Sequence, residues 1–240
     1  MISVCMATYN GERFIKEQID SILPQLSEND ELIISDDGST DRTLEIIASY
    51  EDRRIKVLHH KKNPKLAKVK HGRNFYYATE NFGNALKEAS GDYIFLSDQD
   101  DVWCKDKVKK CVNEMQSSLF VVHNMKIIDE NGNIVKNSRY NDNPLPKNWL
   151  AIVYHMRLWG CCMAFRKECL AFILPFPDRL LAHDYWIAAL CIKKVRCSYI
   201  ELPLINYREH SDSVSYKRHR SIFYKISYRF KLLFEIVGRK

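Results

Sequence analysis

A chain of 240 residues with 46% apolar and 28% charged side chains has the composition of a globular protein, which excludes a collagen-like or disordered chain. Its formal net charge of +7 is concentrated at the end of the chain: residues 216–240 contain eight Lys or Arg and one Glu, whereas the remainder contains 29 basic and 29 acidic residues. The neutral body argues against a protein that binds nucleic acid over a broad surface.

The eight cysteines and the N-terminal sequence indicate where in the cell the protein is located. No CxxC pair and no histidine at zinc-finger spacing accompanies the cysteines, so neither a disulfide framework nor a structural zinc site is expected. The first residues, MISVCMATYNGERF, lack the charged and apolar regions of a secretory signal, and no apolar run reaches the ~18 residues of a membrane span. We therefore expect a cytoplasmic protein that is neither secreted nor threaded through a bilayer.

Short apolar runs alternate with amphipathic segments along the first hundred residues. Strands are predicted at 2–7, 31–37, 55–60 and 92–97, and helices at 12–26, 41–50 and 81–90. Pro24 marks the end of the first helix, residues 39–41 can cap the second, and Gly91 follows the third. This alternation is typical of a parallel sheet whose strands are connected by helices.

The second half of the chain is less regular. Its predicted elements are a hairpin at 121–135 around Glu130-Asn131-Gly132, a buried strand entering a helix at 158–170, an amphipathic helix at 183–194 and a strand at 198–210. No internal repeat or low-complexity linker separates the halves, so a boundary near residue 120 is expected to be topological rather than flexible. The predicted fold class is α/β.

Three polar loops follow predicted strands. They contain Thr8-Tyr9-Asn10, Asp36-Asp37-Gly38-Ser39 and Ser97-Asp98-Gln99-Asp100-Asp101. Because ligands of open parallel sheets bind at the carboxyl ends of the strands, these loops are expected to converge on one crevice. A purely structural protein has no need to build such an arrangement three times, so the convergence indicates a binding or catalytic function.

The acidic cluster of Asp98, Asp100 and Asp101 has two interpretations. Closely packed carboxylates repel one another unless a cation or hydrogen bonds compensate, and a divalent cation held by them would grip a nucleotide diphosphate. Alternatively, the cluster is a turn in which an aspartate caps the next helix, a role that suits Asp101. The position directly after the apolar strand at 92–97 favours the metal.

Six sequence motifs, in order, resemble those of one enzyme family. They are SVCMATYNGERFI, LIISDDGSTDRT, GDYIFLSDQDDVW, GCCMAFRKE, HDYW and YREHSDSVS, all within residues 2–215. Together they resemble the family 2 glycosyltransferases, especially bacterial rhamnosyltransferases. The resemblance implies a GT-A-like, Rossmann-related mixed sheet flanked by helices, in a single compact domain of two fused halves. Residues 1–120 would bind the nucleotide sugar, residues 121–215 the acceptor, and residues 216–240 would form a basic amphipathic tail.

The matched motif positions imply a nucleotide-sugar site with a divalent cation, Mn or Mg. The resemblance assigns Thr8, Tyr9, Asn10, Glu12, Asp36, Asp37, Asn81 and Asp98 to the nucleotide sugar, with Asp36 and Asp37 reading the base and ribose and Asp98 nearer the ribose. It assigns Asp100 and His210 to the cation. Arg208 competes with His210 as a phosphate contact, and a simple turn with an N-cap is the alternative for residues 37–39.

Asp184 matches the family's catalytic base, which takes the proton from the acceptor hydroxyl. It lies at a predicted helix N-terminus, which helps to keep a carboxylate ionised, and N-capping of that helix is its alternative role. The resemblance puts His183 and Trp186 at the border of the acceptor, and core packing is the alternative for Trp186.

The implied activity is an inverting transfer of rhamnose or another hexose in bacterial surface polysaccharide synthesis. The donor would be a dTDP- or UDP-sugar, and the acceptor a saccharide or a lipid-linked saccharide. A sugar-phosphate nucleotidyltransferase is one alternative, but it needs a Gly-rich triphosphate loop, of which ATYNGERF is a poor version. A non-enzymatic nucleic-acid binder is the other, and it conflicts with the three acidic loops, so no nucleic-acid partner is expected.

The tail has the pattern of a basic amphipathic helix. Its apolar residues, Ile222, Phe223, Ile226, Phe230, Leu233, Phe234 and Val237, are opposed by Lys217, Arg218, Lys225, Arg229, Lys231 and Arg239. Such a helix can lie on an anionic membrane, which suits a peripheral enzyme at the inner face of the plasma membrane. Packing of the apolar face on the body or on a partner subunit is the alternative.

Overall fold

In this computed structural model, the described residues 1–69, 72–140, 148–155, 157–178, 180–211, 213 and 222–239 fold into one nine-stranded mixed sheet flanked by helices. The strands are β1 (Ile2–Thr8), β2 (Glu31–Asp36), β3 (Ile55–His59), β4 (Tyr93–Ser97), β5 (Val102–Trp103), β6 (Phe120–Ile128), β7 (Ile134–Lys136), β8 (Met163–Arg166) and β9 (Cys197–Arg208). The helices are α1 (Ile15–Ile22), α2 (Thr43–Ala48), α3 (Arg73–Lys87), α4 (Lys107–Glu114), α5 (Trp149–His155), α6 (Leu170–Ile173), α7 (His183–Lys194) and α8 (Ile222–Gly238). The predicted α/β class is confirmed.

The strand order is β3-β2-β1-β4-β8-β6-β9-β5, with β7 paired to β6. The first four strands run parallel, whereas β8 is antiparallel to both of its neighbours, β4 and β6. Strand β9 is parallel to β6, and the short β5 is antiparallel to β9. Because β5 comes from the first half of the chain and β9 from the second, the two halves share one sheet.

The parallel part of the sheet contains the most deeply buried strands. Val4 and Met6 on β1 and Leu32 and Ile34 on β2 have no exposed surface. Strands covered on both faces are nearly continuous apolar runs, which is why the sequence pattern identified them. Polar side chains therefore concentrate where these strands end.

Helix α3 differs most from its prediction. It begins at Arg73 rather than at Asn81 and ends at Lys87. Gly72 precedes it with a φ of 74°, a left-handed conformation that suits glycine. Aromatic and polar residues at 75–80 do not recur at helical spacing, so the sequence pattern did not indicate the first two turns of α3. Helices α4 and α5 were not predicted, α6 follows β8 at the end of the segment 158–170 that was predicted as a strand entering a helix, and α7 has the predicted bounds.

The C-terminal tail is described in part. Residues 216–221 and 240, which include Lys217 and Arg218, lie outside the described residues, as do the side chains of Ile222 and Phe223. Three residues on one face of α8, Tyr228, Leu232 and Ile236, are buried against the body. The alternative that the tail packs on the body therefore holds for that face. Of the helices that the structure describes, none is long and apolar enough to span a bilayer.

Glu31 joins three segments at the amino-terminal edge of the parallel strands. Its carboxylate accepts hydrogen bonds from Ser3 Oγ at 2.5 Å and from Ser90 N and Oγ at 2.9 and 2.7 Å. Lys56 Nζ forms an ion pair with it at 2.5 Å. Although burial opposes ionisation, these contacts lower the pKa of Glu31 to about 2.

We expect Glu31→Gln to lower the free energy of unfolding by about 3 kcal/mol at pH 7. Because the pKa of Glu31 in the folded protein is below its usual 4.5, this stabilisation is present above pH 4.5 and is lost as the pH falls towards 2. Urea unfolding at pH 7 and pH 3 measures the loss, which should be smaller at pH 3. Glu28→Gln, at an exposed ion pair with Arg53, is the control and should change stability by less than about 1 kcal/mol. Equal losses at both pH values would contradict the expectation.

Candidate active site

A cleft of about 670 Å³ lies at the carboxyl ends of β1 and β4 and extends to the start of α7. Six of the predicted nucleotide residues line it, namely Thr8, Tyr9, Asn10, Asp37, Asn81 and Asp98. The predicted cation residues Asp100 and His210, the predicted catalytic base Asp184 and the predicted acceptor-side residue His183 also line it. Glu12, Asp36 and Trp186 do not. Side chains that are distant in the sequence thus meet around one space.

Gln99 connects the loop after β1 to the loop after β4. Its Oε1 accepts a hydrogen bond from Tyr9 N at 2.8 Å, and its Nε2 donates to the Tyr9 carbonyl at 3.2 Å. A Cβ at Gly11 would lie 2.6 Å from Gln99 Oε1, so a larger residue there would displace the amide from its contacts with Tyr9. The sequence analysis did not predict this role of Gln99. The position of Gln99 inside the acidic motif was the sequence feature that could have indicated it.

The two neighbouring carboxylates at the end of β2 differ in their contacts: Asp36 is the last residue of the strand and Asp37 is the first residue after it. Asp36 accepts hydrogen bonds from Thr8 Oγ1 at 3.1 Å and from Ser39 N and Oγ at 2.8 and 2.5 Å. Asp37 lines the cleft and lies 3.6 Å from Lys62 Nζ. The prediction that Asp36 reads the nucleotide is therefore corrected: Asp36 shapes the loop, and Asp37 is the carboxylate at the cleft.

Lys62 brings a positive charge to the cleft that sequence reasoning missed. Its Nζ lies 3.4 Å from the centre of the Tyr9 ring and 5.7 Å from the centre of the Tyr77 ring. His60 Nδ1 lies 2.8 Å from Asp37 Oδ1, so the Asp37 carboxylate has two basic neighbours. A cation and two aromatic rings beside one carboxylate suit an anionic ligand with a planar group.

Glu12 and Asn81 support the loops around the cleft. Glu12 Oε2 accepts a hydrogen bond from Arg42 N at 3.0 Å, next to the start of α2, so its predicted nucleotide contact is corrected to a structural role. Asn81 Nδ2 donates to the carbonyls of Thr8 at 3.2 Å and Ser35 at 2.8 Å. It lines the cleft, but its amide nitrogen serves to fix the ends of β1 and β2.

The aspartates of the acidic cluster face different surroundings. Asp100 Oδ2 lies 2.8 Å from His210 Nε2 at the cleft. Asp98 also lines the cleft, and burial, together with the nearby charge of Asp100, raises its pKa above the usual value. Asp101 has no exposed surface and accepts a hydrogen bond from Arg208 N at 3.0 Å. Asp98 and Asp100 are thus the members of the cluster that a ligand can reach.

Asp101 lies behind the cleft and not at a helix start. Helix α4 begins at Lys107, with Asp106 at the cap position, so the alternative that Asp101 caps the next helix is wrong. Asp98, Asp101 and Cys161 have atoms capable of binding a metal within 4.8 Å of one another. Because Asp101 and Cys161 are fully buried, a cation from solvent would meet Asp98 first.

The cleft side of the acidic cluster has donors that suit Mn²⁺ or Mg²⁺. Carboxylate oxygens are the preferred ligands of both ions, and an imidazole nitrogen is compatible with Mn²⁺. Asp100 and His210 supply one of each. A bound cation would also relieve the repulsion from Asp100 that, after burial, contributes to the raised pKa of Asp98. The residues present therefore fit a divalent ion.

Arg208 supports the acidic cluster from behind. Its side chain is 2% exposed, and it donates to the carbonyls of Asp100 at 2.9 Å and Glu130 at 3.2 Å. It also forms an ion pair with Glu17 at 2.5 Å. Arg208 itself does not line the cleft, so it fixes the Asp100 main chain instead of making the phosphate contact considered as an alternative.

We expect Arg208→Lys to weaken Mn²⁺ binding by about 10- to 100-fold. Lysine keeps the charge but cannot reproduce the fork of donors that holds the Asp100 carbonyl. Isothermal titration calorimetry with Mn²⁺ measures the change. Arg42→Lys, at an exposed pair with Glu45, is the control and should bind Mn²⁺ like the wild type. Unchanged Mn²⁺ affinity in folded Arg208→Lys would contradict the expectation.

Asp184 lies in the first turn of α7. Burial raises its pKa to about 7, the hydrogen bond from Tyr185 N at 2.8 Å opposes this shift, and the charge of Asp98 adds to it. The expectation that the helix N-terminus keeps the carboxylate ionised is therefore corrected, since burial outweighs it. Ala182 is the cap residue, so the alternative cap role of Asp184 is wrong. A carboxyl group with a pKa near 7 can exchange a proton at neutral pH.

His183 and Trp186 have separate environments. The His183 ring stacks on Phe82 with 4.0 Å between ring centres, and burial lowers its pKa to about 3, so it is neutral at pH 7. Trp186 has no exposed surface, and its Nε1 donates to the Ile173 carbonyl at 2.9 Å. The predicted acceptor contact of Trp186 is corrected to core packing, whereas His183 lines the cleft.

Known proteins resemble this chain in sequence. The family Glycosyl transferase family 2 matches residues 3–171. An uncharacterized glycosyltransferase of Haemophilus influenzae is 32% identical over 207 residues, 83% of this chain and 75% of that protein. The UDP-Glc:alpha-D-GlcNAc-diphosphoundecaprenol beta-1,3-glucosyltransferase WfgD of Escherichia coli is 29% identical over 233 residues, 92% of this chain and 82% of that protein. The dTDP-rhamnosyl transferase RfbG of Shigella flexneri is 28% identical over 222 residues, 87% and 72% of the two chains.

Solved structures share the fold. S. aureus TarS 1-349 in complex with UDP-GlcNAc has a TM-score of 0.69 at 21% identity, over 100% of this chain and 67% of that chain. Glucosyl-3-phosphoglycerate synthase from Mycobacterium tuberculosis, in a complex with Mn²⁺, UDP and glucosyl-3-phosphoglycerate, has a TM-score of 0.54 at 21% identity, over 100% and 79%. These likenesses confirm the predicted GT-A-like fold. With the family match over residues 3–171, they lead to one conclusion: the chain belongs to Glycosyl transferase family 2.

Proposed function

We propose that this chain is an inverting, metal-dependent hexosyltransferase of bacterial surface polysaccharide synthesis, which moves rhamnose or another hexose from a nucleotide-diphosphate donor to a saccharide or lipid-linked saccharide. The observation that carries the proposal is the shared cleft, onto which both the Asp100–His210 pair and the partly buried Asp184 open. The pair suits a charged leaving group, and Asp184 suits an acceptor hydroxyl.

The donor we propose is a dTDP- or UDP-sugar. Tyr9 offers a partly exposed aromatic face, and Asp37 can accept from a base N–H or a ribose hydroxyl. Lys62, beside both, adds a positive charge for the phosphates. The names of WfgD and RfbG and the UDP-GlcNAc complex of TarS support both nucleotides and do not select the sugar.

The cation we propose is Mn²⁺ or Mg²⁺, with Asp100 and His210 as its protein ligands and Asp98 nearer the ribose. When bound, such an ion neutralises the charge that develops on the departing diphosphate. The M. tuberculosis complex, which contains Mn²⁺ and UDP, supports this choice. The protein contributes the rigid placement of Asp100, because Arg208 and His210 hold its carbonyl and its carboxylate.

Asp184 is the proposed general base. It removes the proton of the acceptor hydroxyl as that oxygen bonds to the anomeric carbon, while the bond from that carbon to the diphosphate oxygen breaks. His183, next to Asp184 in the chain, is neutral at pH 7, so it carries no positive charge that could form an ion pair with the ionised base. Among the described cleft residues, Asp184 is the one carboxylate contributed by α7 and its neighbouring loop, which supports a single displacement with inversion.

The two earlier alternatives receive no support from the relatives. All three that are described above are named as glycosyltransferases or as transferases of named sugars, and none is named as a nucleotidyltransferase or a nucleic-acid binder. A nucleotidyltransferase would release pyrophosphate from a nucleoside triphosphate and a sugar phosphate, whereas the proposed enzyme releases a nucleoside diphosphate. The identity of the released nucleotide therefore separates the two reactions.

A panel of nucleotide sugars with Mn²⁺ tests the proposed function. A true donor at about 100 times its Kd should raise the free energy of unfolding by about 2.7 kcal/mol, which is measured as a rise in Tm. The same donor should release nucleoside diphosphate when a saccharide acceptor is present. If no UDP- or dTDP-sugar raises the Tm or is consumed, the proposal is wrong.

A further inference from the structure

Helix α8 has apolar side chains on two opposite faces. Tyr228, Leu232 and Ile236 are buried against the body. On the other face, the exposed fractions are 43% for Ile226, 67% for Phe230, 80% for Phe234 and 61% for Val237. Packing on the body therefore accounts for one face of α8 and leaves a row of large apolar side chains in contact with water.

A second helix extends this exposed row. On α5, Leu150 and Tyr154 are 54% and 68% exposed. The Arg229 guanidinium of α8 lies 5.6 Å from the centre of the Tyr154 ring, so the two helices present their side chains next to each other. The exposed apolar surface thus consists of Leu150, Tyr154, Ile226, Phe230, Phe234 and Val237. Neighbouring exposed apolar groups of this kind mark an interaction surface.

The charges around the exposed apolar surface favour an anionic lipid bilayer as its partner. Helix α8 contains three basic residues, Lys225, Arg229 and Lys231, and one acidic residue, Glu235, and a fourth basic residue, Arg239, follows its end. At an anionic membrane, each basic residue near the surface strengthens binding about fivefold, while phenylalanine side chains enter the boundary between headgroups and acyl chains. An apolar row with basic flanks matches both parts of such a surface.

The position of α8 links this surface to the active site. Tyr228 is buried close to Asp184: burial raises its pKa well above the usual value, and the charge of Asp184 adds to the shift. Tyr224, one turn earlier, has its hydroxyl 2.8 Å from the position that a Cβ on Gly72 would occupy, beside Leu181. The first turns of α8 therefore border the α7 side of the cleft.

We propose that the exposed apolar surface of α5 and α8 docks on an anionic bilayer and so holds the Asp184 side of the cleft close to acceptors carried on lipid. The docking on the bilayer concerns binding alone. The placement of the cleft near lipid-carried acceptors rests on the proposed function, because it needs Asp184 to act on an acceptor. The E. coli relative, whose name specifies a diphosphoundecaprenol acceptor, supports a lipid-linked substrate.

Vesicle co-sedimentation of the full chain tests the docking. We expect binding to vesicles that contain phosphatidylglycerol, and at least about tenfold weaker binding to pure phosphatidylcholine. Phe230→Ser/Phe234→Ser should weaken binding to the anionic vesicles by at least about tenfold without loss of folding, since both side chains are largely exposed. Ile134→Ser/Val135→Ser, which removes two exposed apolar side chains of β7, is the matched control and should bind like the wild type.

A second readout separates this proposal from the proposed function. Phe230→Ser/Phe234→Ser should keep its rate with a water-soluble acceptor and lose rate with the same acceptor on a lipid in vesicles. Sedimentation needs no catalysis, so inactivity of every variant would contradict the proposed function and leave the docking result standing. Equal sedimentation of wild type and double variant, or none by either, overturns the docking. So does a wild-type dimer in analytical ultracentrifugation that the double variant abolishes, because the surface would then belong to a second copy.

Discussion

Replacing Asp184 with asparagine is expected to lower kcat by about 10³-fold, with a much smaller change in the KM of the donor. Asparagine preserves the shape of the side chain in the first turn of α7 but cannot accept the proton of the acceptor hydroxyl. Because that proton moves only during the attack, the loss falls on kcat. Initial rates of nucleoside diphosphate release at saturating donor, measured at pH 8, test the expectation.

The pH dependence of the same residue gives a second, independent result. The pKa of Asp184 is about 7, so wild-type kcat/KM should rise with pH and become constant above about pH 7. Stability should change in the opposite direction, because a carboxyl whose pKa is raised above its usual 3.8 stabilises the fold only when protonated. That contribution is present below pH 3.8 and is lost as the pH rises through 7. Asp184→Asn should therefore have a Tm about 5 °C above wild type at pH 8, and a smaller gain at pH 5.

Asp106→Asn is the matched control for this experiment. Asp106 is an exposed aspartate at the start of α4 whose side chain makes no capping hydrogen bond, so both rate and Tm should match wild type. An Asp184→Asn variant that keeps more than about a tenth of the wild-type rate would show that the base lies elsewhere. A lower Tm together with lost activity would instead show that Asp184 has a structural role.

The sequence predicted the parts of the fold that depend on local patterns. Buried parallel strands are continuous apolar runs, so β1, β2 and β4 were found close to their observed bounds, and the three polar loops lie at the predicted edge. Helix α7 was found with the predicted bounds, from a polar pair at its start to two lysines at its end, but it is not amphipathic as predicted, because Trp186 to Cys191 are all buried. These signals belong to single segments of the chain, which is why one sequence is enough to read them.

The direction in which each loop side chain points depends on distant partners, and here the sequence was insufficient. Asp36 and Asp37 are neighbours in the same motif, but Asp36 is held by Thr8 and Ser39 and only Asp37 lines the cleft. Gln99 contacts the loop that contains Tyr9, 90 positions earlier in the chain. No local pattern records such pairings, so the motif identified the site without assigning every residue in it.

Replacing Asp100 with asparagine is expected to lower kcat/KM by about 10³-fold and to abolish activation by Mn²⁺. The amide removes the negative charge that would face the proposed cation, while the backbone contact with Arg208 remains. His210→Ala should have a smaller effect, about 10- to 100-fold, and should raise the Mn²⁺ concentration needed for half-maximal rate, since one ligand is left. Rates over a series of Mn²⁺ concentrations, together with calorimetric Mn²⁺ titrations in the presence of UDP, measure both effects.

The double variant decides whether Asp100 and His210 act on the same cation. If they do, His210→Ala should cost little once Asp100 is already asparagine, because the site that both residues form no longer binds the ion. Independent roles would instead give losses that multiply. The distance of 2.8 Å between the Asp100 carboxylate and the His210 ring favours the first result. Asp106→Asn should leave Mn²⁺ activation intact, and full Mn²⁺ activation of Asp100→Asn would show that the cation is bound elsewhere. Because Asp98 is the other member of the cluster at the cleft, it would then be the next residue to replace.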